Sequence, residues 1–176
     1  MNYQTEIKRI EMLASRIKPP NGLEPASSIL TEGDMYTVKR DEKAETFVVV
    51  LKIQEKRVGV VYGHRRTEYA GPEDIIVPRE VAGHRLVLTS DSFWMLKSSL
   101  DKPIGRLPSE WFDKLTQMIA WMLFPNETKP DVQTGLPYLD DKDIRWQAKL
   151  NLGMAIAFHQ GIALEEDWNK DVLGIQ

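Results

Sequence analysis

The sequence contains no cysteine, which excludes disulfides, thiolate metal sites and cysteine nucleophiles. No apolar run approaches the roughly 20 residues needed to cross a bilayer. The first stretch, MNYQTEIKRIEML, is charged throughout and has no signal-peptide apolar region. A cytoplasmic protein without membrane contact is expected. Only three histidines occur, His64, His84 and His159. No two of them stand three or four residues apart, so neither a metal site nor a cofactor is expected. A glycine-rich phosphate loop and a Gly-x-Ser-x-Gly elbow are both missing, which argues against dinucleotide binding and hydrolase folds.

What is present is an ordinary globular composition, with 42% apolar and 28% charged residues. At 176 residues the chain is read as one domain with appendages. The net charge of −3 is spread unevenly. Residues 33–107 hold eleven acids against thirteen bases, and residues 130–176 hold eight against four. A middle this weakly basic permits RNA without predicting it, because dedicated nucleic-acid binders carry a concentrated basic face.

Three regions follow from the pattern. Residues 1–30 read as a helix over 3–17, with Ile7, Ile10, Leu13 and Ile17 on one stripe, then a linker after Pro19-Pro20. Residues 31–124 read as a β unit with a closing helix. Gly33-Asp34 is a turn; Met35–Val38, Phe47–Ile53, Val58–Tyr62, Ile75–Val77 and His84–Leu88 are strands. Phe47–Ile53 is apolar on both faces, as a central strand should be. Five short strands without intervening helices predict an α+β fold built on a small antiparallel barrel. The helix over 109–123 carries Trp111, Leu115, Met118 or Ile119, and Met122 at helical spacing, with Ser109 as the expected capping hydroxyl. Residues 125–176 read as a surface loop followed by a helical extension. Asp140, Asp141 and Asp143 open its helix, and Ile144, Ala148, Leu152 and Ile156 form the stripe.

Two clusters can carry chemistry. The run Gly63-His64-Arg65-Arg66-Thr67 can hold a phosphate, since guanidinium groups match phosphate oxygens bidentately; the alternative is a solvated hairpin end. In Thr89-Ser90-Asp91-Ser92, Asp91 stands where a strand is expected to give way to loop. It can act as an acid–base group or orient a cation, or simply cap the turn. His159 reads as a cation at a helix C-terminus, and the three aspartates as helix-start chemistry.

The succession Gly33-Asp34-Met35-Tyr36-Thr37-Val38, the apolar strand 47–53, Val87-Leu88-Thr89-Ser90-Asp91-Ser92, and Ile104-Gly105-Arg106-Leu107-Pro108 before a helix resembles the MazF/PemK toxin family. The resemblance covers about residues 31–123. It implies an SH3-like barrel of the CcdB/PemK type and a homodimer controlled by an antitoxin-like protein. It also implies metal-independent cleavage of single-stranded RNA through attack by the ribose 2′-hydroxyl. Asp91 matches the family's aspartate. The arginine that some members place two residues earlier is Thr89 here, and the family's Arg-Pro opening of the second strand is Thr46-Phe47. The catalytic set expected on this reading is Asp91 with Arg65 and Arg66, and His64, Thr67, Thr89 and Ser90 line the RNA. The alternative function is a non-catalytic module that uses the barrel faces for protein contact.

Overall fold

The computed structural model describes residues 23, 25, 29–38, 46–124 and 126–151. The expected N-terminal helix, the charged tip 39–45, His159 and the tail lie outside them. Six strands form one antiparallel sheet: β1 (Asp34–Val38), β2 (Thr46–Ile53), β3 (Arg57–His64), β4 (Ile75–Val77), β5 (Leu86–Leu96) and β6 (Leu100–Arg106). Their order is β4-β5-β3-β2-β1-β6. The α+β class and the antiparallel pairing agree with expectation. The barrel is not closed, because β4 and β6 end the sheet on opposite sides.

Strand β2 lies centrally between β3 and β1, and alternate residues supply two cores. Phe47 and Val49 join Met35, Val61, Leu86, Leu88 and the helix residues Leu115 and Met118 on one face. Val48 and Val50 join Val58, Val60, Tyr62 and Met95 on the other. Burying both faces explains why this strand reads as continuous apolar sequence rather than as an alternation.

Two elements differ from the sequence reading. The segment after Asp91 is no loop: β5 runs on to Leu96, pairing Ser92 with Val61 and Met95 with Val58. Residues 100–106, not among the strands expected from sequence, form β6 against β1, with Asp34 opposite Arg106. Pro103 is tolerated there because β6 is an edge strand. Asp34 is accordingly the first residue of β1 rather than part of a turn. It is fully buried, accepts the Thr31 N–H at 2.8 Å, and pairs with Arg106 at 3.4 Å.

The long helix spans Ser109–Leu123 as expected, but its N-cap is Pro108 and no side chain caps it. Ser109 lies one residue too far in for its hydroxyl to do so. Leu115 and Met118 are buried, whereas Met122 is largely exposed at the helix end. The loop after the helix continues the sheet locally. Ile76 N–H donates to Gln133 O at 2.8 Å, Gly135 N–H donates to Gly71 O at 2.9 Å, and Thr134 bridges Ile75. Residues 133–135 thus cover the outer edge of β4, a protection that exposed strand edges require.

Candidate functional site

The ladder between β3 and β5 slips beside Asp91. Val61 pairs with Ser92 and Gly63 with Leu88, so Thr89, Ser90 and Asp91 together stand across from Tyr62. Such a bulge bends the strand and re-aims side chains. Its two hydroxyls find backbone partners, one in the sheet and one in the turn before β4. Thr89 Oγ1 donates to Tyr62 O at 2.8 Å, and Ser90 Oγ donates to Glu73 O at 3.1 Å. Thr89 and Ser90 are buried, while the Asp91 side chain is 57% exposed. Asp91 is therefore placed by a bulge inside a continuous strand, not by a turn that it caps.

Among the described residues, one ammonium, from the C-terminal segment, comes within 4 Å of Asp91. Lys149 Nζ lies 2.8 Å from Asp74 Oδ1 and 3.6 Å from Asp91 Oδ2, with its side chain 4% exposed. Asp74 is fully buried, and its second oxygen accepts the Gly71 N–H at 2.8 Å. Tyr62 Oη donates to Lys149 O at 3.1 Å. Burial alone would lower the Lys149 pKa, but the charge and hydrogen bond of Asp74, with help from Asp91, turn the shift upward. The ammonium therefore stays protonated. Burial pushes the Tyr62 phenol well above its ordinary pKa, and the charges of Asp91 and Asp74 push the same way. Tyr62 is accordingly a neutral hydrogen-bond donor.

The helical stretch 144–151 that carries Lys149 is built by Asp143. Asp143 accepts the Arg145 N–H at 2.9 Å, and its other oxygen accepts from Arg145 Nη2 at 2.6 Å. This matches the helix-start role expected for the aspartates. Arg145 holds Asp143 far below the ordinary carboxylate range. The same guanidinium donates to Leu136 O and Pro137 O and lies over the Tyr138 ring. The expected apolar stripe does not hold at its start, since Ile144 is 78% exposed and Lys149 is the residue that turns inward. Tyr138 in turn seats on Gly71, where a Cβ would fall 1.9 Å from its hydroxyl. Only a glycine admits that approach.

The basic run begins at the same end of β3, directly after Tyr62. His64 is the last strand residue rather than part of a loop, and it is fully buried. Its Nδ1 accepts the Arg66 N–H at 3.2 Å, and its Nε2 has no partner. Burial holds the imidazole below its ordinary pKa, Lys149 acts in the same direction, and Asp74 and Glu68 oppose it. Arg65 and Arg66 are exposed, Thr67 is half-buried, and Arg66 lies 3.7 Å from Glu68. The charge of Arg65 acts on His84. Tyr62 and Arg65 are three residues apart, so Arg65 leaves the sheet roughly 10 Å along the strand from the Asp91 bulge. The cluster around Asp91 thus joins Thr89 and Ser90 to Tyr62, Asp74 and Lys149, and the two arginines stand apart from it.

Asp74, Lys149, Tyr62 and Tyr138 were not legible as site residues. Lysine is almost never buried unless paired, and the partner lies 75 residues away with no spacing to announce it. Among the described residues, no group of three or more His, Asp or Glu side chains can hold a metal ion, and no helix is long and apolar enough to cross a membrane.

Removing one member of a buried ion pair strands the other. Lys149→Met is expected to lower stability by about 3–5 kcal/mol, read by urea denaturation. Adding Asp74→Asn should recover most of that loss, and equal stabilities for single and double variants would contradict the pairing. His64 gives a pH signature. Its folded-state pKa is lowered, so its contribution is complete above the unfolded value near ~6.5 and is lost as the pH falls below it. Between pH 7 and 5 the melting temperature of the native protein should fall more steeply than that of His64→Asn; parallel slopes would contradict a buried neutral imidazole.

Compared with protein families, the sequence matches none, and no curated protein matches it. Among solved structures, the chain is similar to an endoribonuclease in complex with its cognate antitoxin from a mycobacterial species. Identity is 15% and the TM-score 0.38, over 55% of this chain and 95% of that one.

Proposed function

We propose that the chain is a MazF/PemK-related domain that engages single-stranded RNA at the β5 bulge and cleaves it without metal. The observation that carries this reading is the Asp91 carboxylate, 57% exposed on a bulge of an otherwise continuous strand. It stands at the position where the sequence resembles the family's aspartate. An exposed carboxylate on a rigid strand is suited to accept a proton. In the proposed step the ribose 2′-oxygen bonds to phosphorus and its proton passes to Asp91. The P–O5′ bond then breaks, leaving a 2′,3′-cyclic phosphate and a 5′-oxygen that takes a proton from solvent. Arg65 and Arg66 supply positive charge for the developing phosphorane, a role in which guanidinium groups are effective. Thr67 lies beside them on the RNA path, while His64 at the end of β3 and Thr89 and Ser90 at the bulge act from beneath the surface by fixing the backbone. A homodimer and an antitoxin-like protein partner belong to this reading.

A second reading is favoured by one specific observation. The ammonium beside Asp91 is itself buried and committed to Asp74, and Thr89 stands where an arginine would serve catalysis. Those features suit a non-catalytic module that binds another protein on the same sheet.

The two readings separate on one assay. Purified protein incubated with single-stranded RNA, with and without divalent metal, is expected to cleave it, leaving cyclic phosphate ends. Asp91→Ala should slow cleavage by about 10²–10⁴-fold, and the Arg65→Ala/Arg66→Ala double variant should also abolish most activity. Intact RNA under every condition would overturn the nuclease reading and leave the protein-binding one.

A further inference from the structure

A second site lies at the far end of the sheet, beside the short helix Arg79–Ala82 and the start of β5. A cavity of about 520 Å³ opens there, lined by Arg79, Glu80, His84, Arg85 and Gln133 among others. The local chain path explains the convergence. Gly83 takes a left-handed conformation, φ 78°, and its N–H donates to Arg79 O at 2.8 Å. That tight turn brings His84 and Arg85 back beside Arg79. Gln133 closes the wall from the C-terminal segment, held by the Ile76 N–H at its carbonyl.

The charges of this pocket are not neutralised internally. Arg65, Arg79 and Arg85 are exposed and form no ion pair among the described residues, and neither does the Glu80 carboxylate on the rim. Arg65 is near enough to His84 for its charge to act on the imidazole. His84 Nε2 is buried without a hydrogen-bond partner. Two planar guanidinium forks on one cavity are well suited to a tetrahedral oxyanion. The volume falls within the range of small-molecule sites and exceeds what a lone anion fills.

We infer that this pocket binds a phosphate group carried on a ligand of about nucleotide size. The site is separate from the Asp91 cluster, and the inference stands whether or not the chain cleaves RNA.

The test uses the full chain, isotopically labelled, with inorganic phosphate, uridine 5′-monophosphate and uridine as probes. The imidazole signal of His84 and the side-chain Nε–H signals of Arg79 and Arg85 report occupancy by NMR. Saturable shifts with the monophosphate, absent with uridine, are expected. Arg79→Gln/Arg85→Gln should weaken binding at least tenfold while the amide spectrum stays that of the folded protein. The monophosphate is expected to bind more tightly than phosphate; equal binding would identify a free-anion site and overturn the inference of a carried group. If uridine binds as well as its monophosphate, or if the double variant binds undiminished, the inference fails. Because the readout is binding, a negative cleavage assay leaves it standing, and a negative titration leaves the nuclease reading untouched.

Discussion

A lysine ammonium driven into the protein against an aspartate is the interaction on which the arrangement depends. Burying either charge alone costs several kcal/mol, and the cost is offset only by close pairing and by hydrogen bonds to the remaining atoms. Lys149 and Asp74 meet both conditions, with 2.8 Å between them and a second 2.8 Å bond from the Gly71 amide to Asp74. Forming the pair requires residues 133–149 to lie across β4 and the end of β3. That requirement accounts for the glycine beneath Tyr138, the edge bonds of Gln133 and Gly135, and the phenol of Tyr62 reaching Lys149 O. Residues 133–149 of the segment that the composition marks as acidic are therefore a structural wall of the sheet.

The same pair shapes the chemistry available at Asp91. Its carboxylate is displayed by a bulge whose own hydroxyls are spent on Tyr62 O and Glu73 O. It faces an ammonium that already has a better partner. The cation beside it is fixed in place by Asp74. Positive charge for a bound polyanion has to come from elsewhere on the sheet. Arg65 directly follows His64, the last residue of β3, and its charge reaches His84.

The strands were readable where hydrophobic pattern and turn chemistry agreed. The run Phe47–Leu51 has to be central because both of its faces are apolar, and the stripe through Leu115 and Met118 has to meet a core. The extent of β5 was hidden by the polar run Thr89, Ser90 and Asp91, of which Ser90 and Asp91 are poor strand formers by local preference. They persist in the strand because the bulge gives two of them carbonyl partners and turns the third to solvent. Strand β6 was hidden by Asp101, Lys102 and Pro103, which suit an edge and look like a linker. Asp91 was visible as a candidate because it interrupts apolar sequence. Lys149 and Asp74 were not, since each looks like an ordinary solvated charge until the fold brings them together.

The central claim is that the buried pair docks the C-terminal segment onto the sheet, and amide hydrogen exchange on Asp74→Asn tests it most directly. This substitution keeps the shape and removes the charge. The amides of Ile76 and Gly135, which bond to Gln133 O and Gly71 O, should lose at least tenfold in protection through local opening. The β2–β3 amides should retain theirs. Unchanged protection at Ile76 and Gly135 would contradict the claim.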